Sequence, residues 1–158
     1  MSRVIAIANQ KGGVGKTTTA VNLSACLADL GKHVLLIDID PQGNATSGLG
    51  IDRRRLKVSV YDVLLDELPL LDAVVDTRVR GLQVLPATID LAGAEVELVP
   101  RIARESRLKQ ALDPVRDRFD FVLIDCPPSL GLLTINALTA AGSILIPIQC
   151  EYYALEGL

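Results

Sequence analysis

The densest chemistry in the chain lies in the run Asn9-Gln10-Lys11-Gly12-Gly13-Val14-Gly15-Lys16-Thr17-Thr18-Thr19, which directly follows an apolar stretch and opens a segment with helical spacing. Glycines let a backbone turn tightly and bring N–H groups against the oxygens of an anion, and the following helix offers its positive end. The cradle so predicted comprises Lys11, Gly12, Gly13, Val14, Gly15, Lys16, Thr17 and Thr18. Lys16 is placed to reach the β and γ phosphates of a nucleotide, and the Thr17 hydroxyl to ligate Mg²⁺. The general phosphate-loop pattern G-x-x-x-x-G-K-[ST] asks for glycine at position 10, where this chain has Gln10. A lysine at 11 and a glycine pair at 12 and 13 replace the usual opening.

Two further stretches supply carboxylates. Asp38-Ile39-Asp40-Pro41-Gln42-Gly43-Asn44 follows the apolar run Val34–Ile37, and its two aspartates, two residues apart in an extended segment, are expected to project on the same side. Val122-Leu123-Ile124-Asp125-Cys126-Pro127-Pro128-Ser129 has the form of a Walker B strand, with Asp125 expected to bind Mg²⁺ through a water and the proline pair stiffening the turn. Carboxylates at the C-terminal edge of a parallel sheet face a ligand crevice. No serine–histidine pair stands in a nucleophilic context, and His33 is the single histidine. Phosphoryl transfer needs neither, because positioning and electrostatics carry most of it.

The elements that must position these groups are legible as alternating runs. Val4–Ala8, Val34–Ile37, Leu82–Leu85, Phe121–Ile124 and Ile144–Ile146 are short, apolar and largely non-alternating, as strands buried on both faces are. Helical spacing runs over Thr17–Leu30, Val60–Leu65 after the cap Ser59, Arg107–Arg118 and Leu130–Ala141. Strands alternating with helices predict an α/β fold, a doubly wound and mostly parallel sheet with flanking helices. Ile51–Arg80 breaks the alternation and is expected to form a surface excursion of small helices, with Arg53-Arg54-Arg55 as a solvated turn. One unit over residues 1–158 is expected. The sheet reads as unfinished at its C-terminal end, which suggests an incomplete domain.

Composition sets outer limits. The 158 residues are 49% hydrophobic, 22% charged and 3% aromatic, enough to bury a core without disulfide or metal staples. A formal charge of −3 excludes nucleic-acid coating by bulk charge alone. No run approaches the roughly 18 apolar residues of a membrane span and no signal-peptide pattern opens the chain, so a cytoplasmic address is expected. Cys26, Cys126 and Cys150 lie far apart in apolar stretches without a CxxC, and read as three small buried hydrophobes rather than metal ligands.

The variant loop K-G-G-x-G-K-T at Lys11–Thr17 resembles the deviant Walker A loop of the ParA/MinD class of P-loop ATPases. Asp-Pro-Gln-Gly-Asn at 40–44, Pro-Pro-Ser-Leu at 127–130 and the ending Gln149–Leu158 resemble the ParA/Soj branch, which serves chromosome and plasmid partition. That resemblance implies an ATPase with ATP and Mg²⁺ as cofactors, in which Lys11, Lys16 and Asp40 act in catalysis and Thr17, Asp40 and Asp125 serve the metal. Lys11 would be the signature lysine that crosses a dimer interface, and Asp40 would position the attacking water in switch I. It further implies an ATP-dependent homodimer that binds DNA without sequence preference on the nucleoid, a ParB-type partner that stimulates hydrolysis, and a further C-terminal part carrying most adenine and DNA contacts. The alternatives are a MinD-like membrane-associated division ATPase, which needs an amphipathic helix, a metal-cluster carrier, which needs paired cysteines, and a non-catalytic nucleotide-binding scaffold.

Overall fold

The computed structural model describes residues 2–150. Six strands form one sheet: β1 (Arg3–Ile7), β2 (Val34–Asp38), β3 (Val75–Asp76), β4 (Leu82–Leu85), β5 (Phe121–Asp125) and β6 (Ser143–Leu145). Their spatial order is β3-β4-β2-β5-β1-β6. All pairings are parallel except β3 on β4, a two-residue antiparallel edge. Seven helices accompany them: α1 (Lys16–Asp29), α2 (Asn44–Gly48), α3 (Val60–Leu65), α4 (Leu70–Ala73), α5 (Leu91–Leu98), α6 (Arg107–Leu112) and α7 (Leu132–Ala140).

The apolar strand runs serve two cores at once, because successive strand residues point to opposite faces. Val4, Ala6, Leu35, Ile37, Val122 and Ile124 pack with α3 to α7, while Ile7, Val34, Leu36 and Leu123 pack with α1 and α2. This two-sided burial is why the runs do not alternate in polarity. The expected mostly parallel sheet with helices on both faces is therefore the observed one, and the five expected strands and α3 fall where the sequence placed them.

Several expectations are corrected. The helix expected over Arg107–Arg118 ends at Leu112, and a 3₁₀ turn follows at Arg116–Arg118; Pro114 between them has no N–H to continue the ladder. The expected surface excursion at Ile51–Arg80 is a core contributor, with Val60, Leu64 and Leu70 almost wholly buried against the sheet. Arg54 and Arg55 are solvated as expected, at 90% and 88% side-chain exposure, whereas Arg53 turns inward. Of the cysteines only Cys126 is buried; Cys26 and Cys150 are exposed. On α1 the buried row is Ala20, Ser24 and Ala28, at four-residue spacing, and Cys26 lies off it.

Candidate functional site

The loop from β1 into α1 is shaped by two glycines in the left-handed region, Gly13 at φ 72° and Gly15 at φ 90°. Side chains rarely adopt that conformation, so the turn requires glycine at both positions. Gly15 is the N-cap of α1 and supplies no side chain to the helix end; the first turn holds no acidic residue. The first helical bond runs from Thr19 N–H to the Gly15 carbonyl, so the amides at the start of α1 are left for an outside acceptor. The macrodipole of a 14-residue helix favours an anion there. Lys16 is buried at 7% exposure and its Nζ donates to the Lys11 carbonyl at 2.9 Å, folding the ammonium back over the loop. The turn is tied further by the Lys11 amide donating to Asn9 Oδ1 and by Asn9 Nδ2 donating to the Pro147 carbonyl.

Three carboxylates converge at the strand ends beside this loop. Asp125 closes β5, in register with Ile7 of β1 on one side and Asp38 of β2 on the other. Its Oδ2 accepts from Thr17 Oγ1 at 2.7 Å, while Oδ1 is buried without a hydrogen-bond partner. Burial pushes the Asp125 carboxyl up to about 7, the Thr17 bond and Lys16 oppose that, and Asp38 and Asp40 add to it. A buried lone acceptor beside a hydroxyl is the donor set that a hydrated divalent cation completes.

Asp38 and Asp40 part company in the structure. Asp38 is wholly buried, with Oδ2 accepting from Thr46 N and Oγ1 at 2.8 and 2.7 Å and Oδ1 from Asp40 N at 3.2 Å. Burial raises its pKa, the Thr46 bonds counter it, and the group is an anchor for the start of α2. Asp40 instead borders the open cleft and accepts from Gln42 N at 2.9 Å through Oδ1. The two aspartates both lie near Asp125, and their hydrogen bonds tell them apart: each is engaged by a different part of the Asp40–Thr46 turn.

The cleft itself, about 320 Å³, is lined by Gly12, Gly13, Gly15, Lys16, Thr17, Thr18, Asp40, Gln42, Asn44 and Pro128. Of the expected cradle, Val14 is buried beneath the loop and Lys11 is exposed outside the cleft. A larger hollow of about 610 Å³, bordered by His33, Arg80 and Arg118, lies at the opposite ends of the strands and holds none of the expected groups. Among the described residues no cluster of three or more His, Cys, Asp or Glu side chains is arranged to hold a metal by itself. Cys126 is unsuited to that task as well, since burial, helped by Asp125, pushes its thiol up to about 12. A metal here would rest on Thr17, Asp125 and ligand oxygens.

A family model described as an AAA domain matches residues 2–158. The chain belongs to that AAA-domain family. It is 66% identical to the sporulation initiation inhibitor protein Soj of Bacillus subtilis (strain 168), over all of this chain and 62% of Soj. It is 59% identical to the chromosome partitioning protein ParA of Myxococcus xanthus (strain DK1622), over all of this chain and 56% of that protein. A solved structure described as cobyrinic acid a,c-diamide synthase from Mycobacterium smegmatis, with bound ADP and magnesium, is 52% identical with a TM-score of 0.95; the match covers all of this chain and 64% of that one. The homology to Soj/ParA partition ATPases runs the full length of the chain. The chain spans less than two thirds of each of these relatives.

Two residues that hold the turn beside the cleft carried no sequence signal of their own. Thr46, in α2, bridges Asp38 to the Ala87 amide, which donates to Thr46 Oγ1 at 3.0 Å. Arg53 sends its guanidinium to the carbonyls of Pro41, Gln42 and Ala87. A solvated reading of the Arg triplet hides the second, and nothing in the spacing marks the first.

Proposed function

We propose that the protein carrying this chain is a Mg²⁺-dependent partition ATPase, its nucleotide held in the cleft between the Lys11–Thr18 loop and Asp40. The observation that carries this is the Thr17–Asp125 contact at 2.7 Å beneath an uncapped, left-handed glycine turn. The residues fit a magnesium–triphosphate: Thr17 and Asp125 would hold the ion, the Thr17 oxygen through its lone pairs and the unpartnered Asp125 Oδ1 by way of water. Bound there, Mg²⁺ supplies charge neutralisation for the phosphate oxygens. Residues 1–158 form a single nucleotide-binding unit.

The chain's own groups do the rest. Loop amides and the α1 terminus bind the phosphates, and Lys16 leaves the Lys11 carbonyl to meet them. Asp40, at the cleft rim, orients a water in line with the γ phosphorus and, with the metal bound, would help organise its water shell; the water oxygen bonds to phosphorus as the bond to the bridging oxygen breaks, ADP leaves with that oxygen, and the water's proton passes to the released phosphate. Lys11 is exposed outside its own cleft, which suits a lysine acting on the nucleotide of a second copy. Dimerisation is therefore gated by ATP. The dimer binds DNA without sequence preference through its phosphates, in the cytoplasm and on the nucleoid, and a ParB-type centromere-binding partner stimulates hydrolysis and releases it.

Among the described residues no helix is long and apolar enough to cross a membrane. The test is a DNA-binding titration of the full-length protein with ATP and with ADP, at several salt concentrations. Binding by the ATP form alone, falling steeply with salt, supports the reading; preference for anionic vesicles over DNA would replace it with a membrane-directed one.

A further inference from the structure

Arg53 stands in a basic triplet whose other two members are solvent-exposed and paired with Asp52. Arg53 has neither property. It is half-buried, and its three nitrogens reach carbonyl oxygens on two separate loops: Nε donates to Ala87 at 3.0 Å, Nη2 to Pro41 at 2.7 Å, and Nη1 to Gln42. The Pro41 and Gln42 carbonyls belong to the turn that carries Asp40. In that turn the Gly43 amide donates to the Asp40 carbonyl and the Gln42 amide to the Asp40 carboxylate, at 2.8 and 2.9 Å. Gly43 adopts φ 63°, and a Cβ at that position would run into the Arg53 guanidinium. The glycine is thus required both by conformation and by the close approach of Arg53.

We propose that Arg53 is a positioning residue that fixes the backbone of the Asp40–Asn44 turn, and through it the Asp40 carboxylate, against the cleft. The turn is held from below by Asp38 and Thr46 and from above by Arg53. Thr46 and Arg53 also meet at the same partner segment, the first through the Ala87 amide and the second through the Ala87 carbonyl. The loop after β4 therefore serves as a fixed wall for the turn. A planar guanidinium with fixed donors can hold three carbonyls at once, whereas a lysine ammonium on the same stem cannot match that fork. Asp40, Gln42 and Asn44 all line the cleft, so a loosened turn misplaces the group that orients water while leaving the glycine loop and Lys16 untouched.

This inference rests on the proposed role of Asp40 in hydrolysis, and its test has one arm that does not. In the full-length protein, Arg53→Lys and Arg53→Ala are expected to lower kcat about tenfold or more while changing the dissociation constant for ATP by less than about threefold, because a displaced catalytic group costs rate rather than binding. In the nucleotide-free protein, amide exchange at 42–44 is expected to speed up by about tenfold, with α1 amides unchanged. Unchanged exchange overturns the structural half of the proposal, and faster exchange with unchanged kcat overturns the positioning half. If the wild-type protein turns over no ATP, the reading of the cleft fails while exchange still decides whether Arg53 sets the turn. Should Arg53→Ala fold poorly, both readouts are taken on Arg53→Lys, and the Gly43→Ala/Arg53→Lys double variant is compared with its two single variants: the losses of melting temperature are expected to combine to less than their sum. Losses that simply add would contradict the contact.

Discussion

Thr17 Oγ1 and Asp125 Oδ2 are joined at 2.7 Å across 108 positions of sequence, the first turn of α1 to the last residue of β5. That bond is made possible by the parallel register of β1 with β5, which sets Ile7 opposite Asp125 and so brings the loop after β1 alongside the carboxylate. It satisfies one oxygen of Asp125 and leaves the other for a ligand.

Asp125→Asn is expected to stabilise the nucleotide-free protein and to weaken its response to Mg²⁺. The carboxyl is raised from 3.8 to about 7 by burial, so the folded state binds more protons than the unfolded one between those values. Stability from this group is accordingly highest below its unfolded pKa and is lost as pH rises through about 7. At pH 8 the amide should raise Tm by about 4 to 8 °C, equivalent to about 2 kcal/mol. On acidification below about 7 the carboxyl takes up its proton and the difference between the two proteins should shrink away. Thermal melts of both proteins from pH 5 to 8 measure this, and parallel curves would remove the buried charge from the account.

Lys16→Ala is expected to weaken ATP binding roughly tenfold to a hundredfold, the worth of a hydrogen bond to a charged group. Its Nζ already lies over the loop, on the Lys11 carbonyl, and truncation removes that bond together with the positive charge near Asp125. Fluorescent-nucleotide titration reads the loss directly; undiminished affinity would take Lys16 out of the phosphate site.

Asp40→Ala is expected to slow hydrolysis by about a hundredfold while ATP binding persists, so that an ATP-bound dimer accumulates. Asp40 lines the cleft and, among the described residues, its carboxylate accepts from the Gln42 amide, whereas Asp38 is committed to Thr46. Asp38→Ala should therefore behave differently, lowering stability more than rate. Single-turnover hydrolysis and thermal melts of the two variants separate the roles.

Asn136→Ala tests the packing of α7 on α6, away from the cleft. Its Oδ1 accepts from Leu108 N at 3.1 Å, and its Nδ2 donates to the carbonyls of Arg104 and Leu132 at 2.7 and 2.9 Å. Removal leaves the buried amide at the start of α6 unpaired, at a cost of about 1 to 3 kcal/mol, and Tm should fall by about 2 to 4 °C per kcal/mol. Turnover below the transition should be unchanged.

Much of this was legible in the residues. The glycine loop, the strands it joins and the carboxylate at 125 each carry a local signal, because strand burial on two faces and left-handed turns leave compositional marks. What escaped the sequence depends on neighbours far away in the chain. Helix α5 is interrupted in pattern by Gly93 and bounded by Pro100, and it is formed by packing of Leu91, Ala94 and Leu98 on the core. Asp38 and Asp40 look equivalent at two-residue spacing, and only Thr46 separates their roles. Arg53 shares its composition with two solvated neighbours, and its inward turn follows from carbonyls at 41, 42 and 87 that no pattern announces.

On the proposed function, ATP in this cleft with Mg²⁺ drives assembly of two copies through Lys11. Multi-angle light scattering of the full-length protein with ATP and Mg²⁺, with ADP and Mg²⁺, and with ATP and EDTA tests it most directly. Twice the monomer mass is expected in the first condition only, and monomer in that condition for Lys11→Ala. The same mass in all three conditions, or a Lys11→Ala protein that still dimerises with ATP, would contradict it.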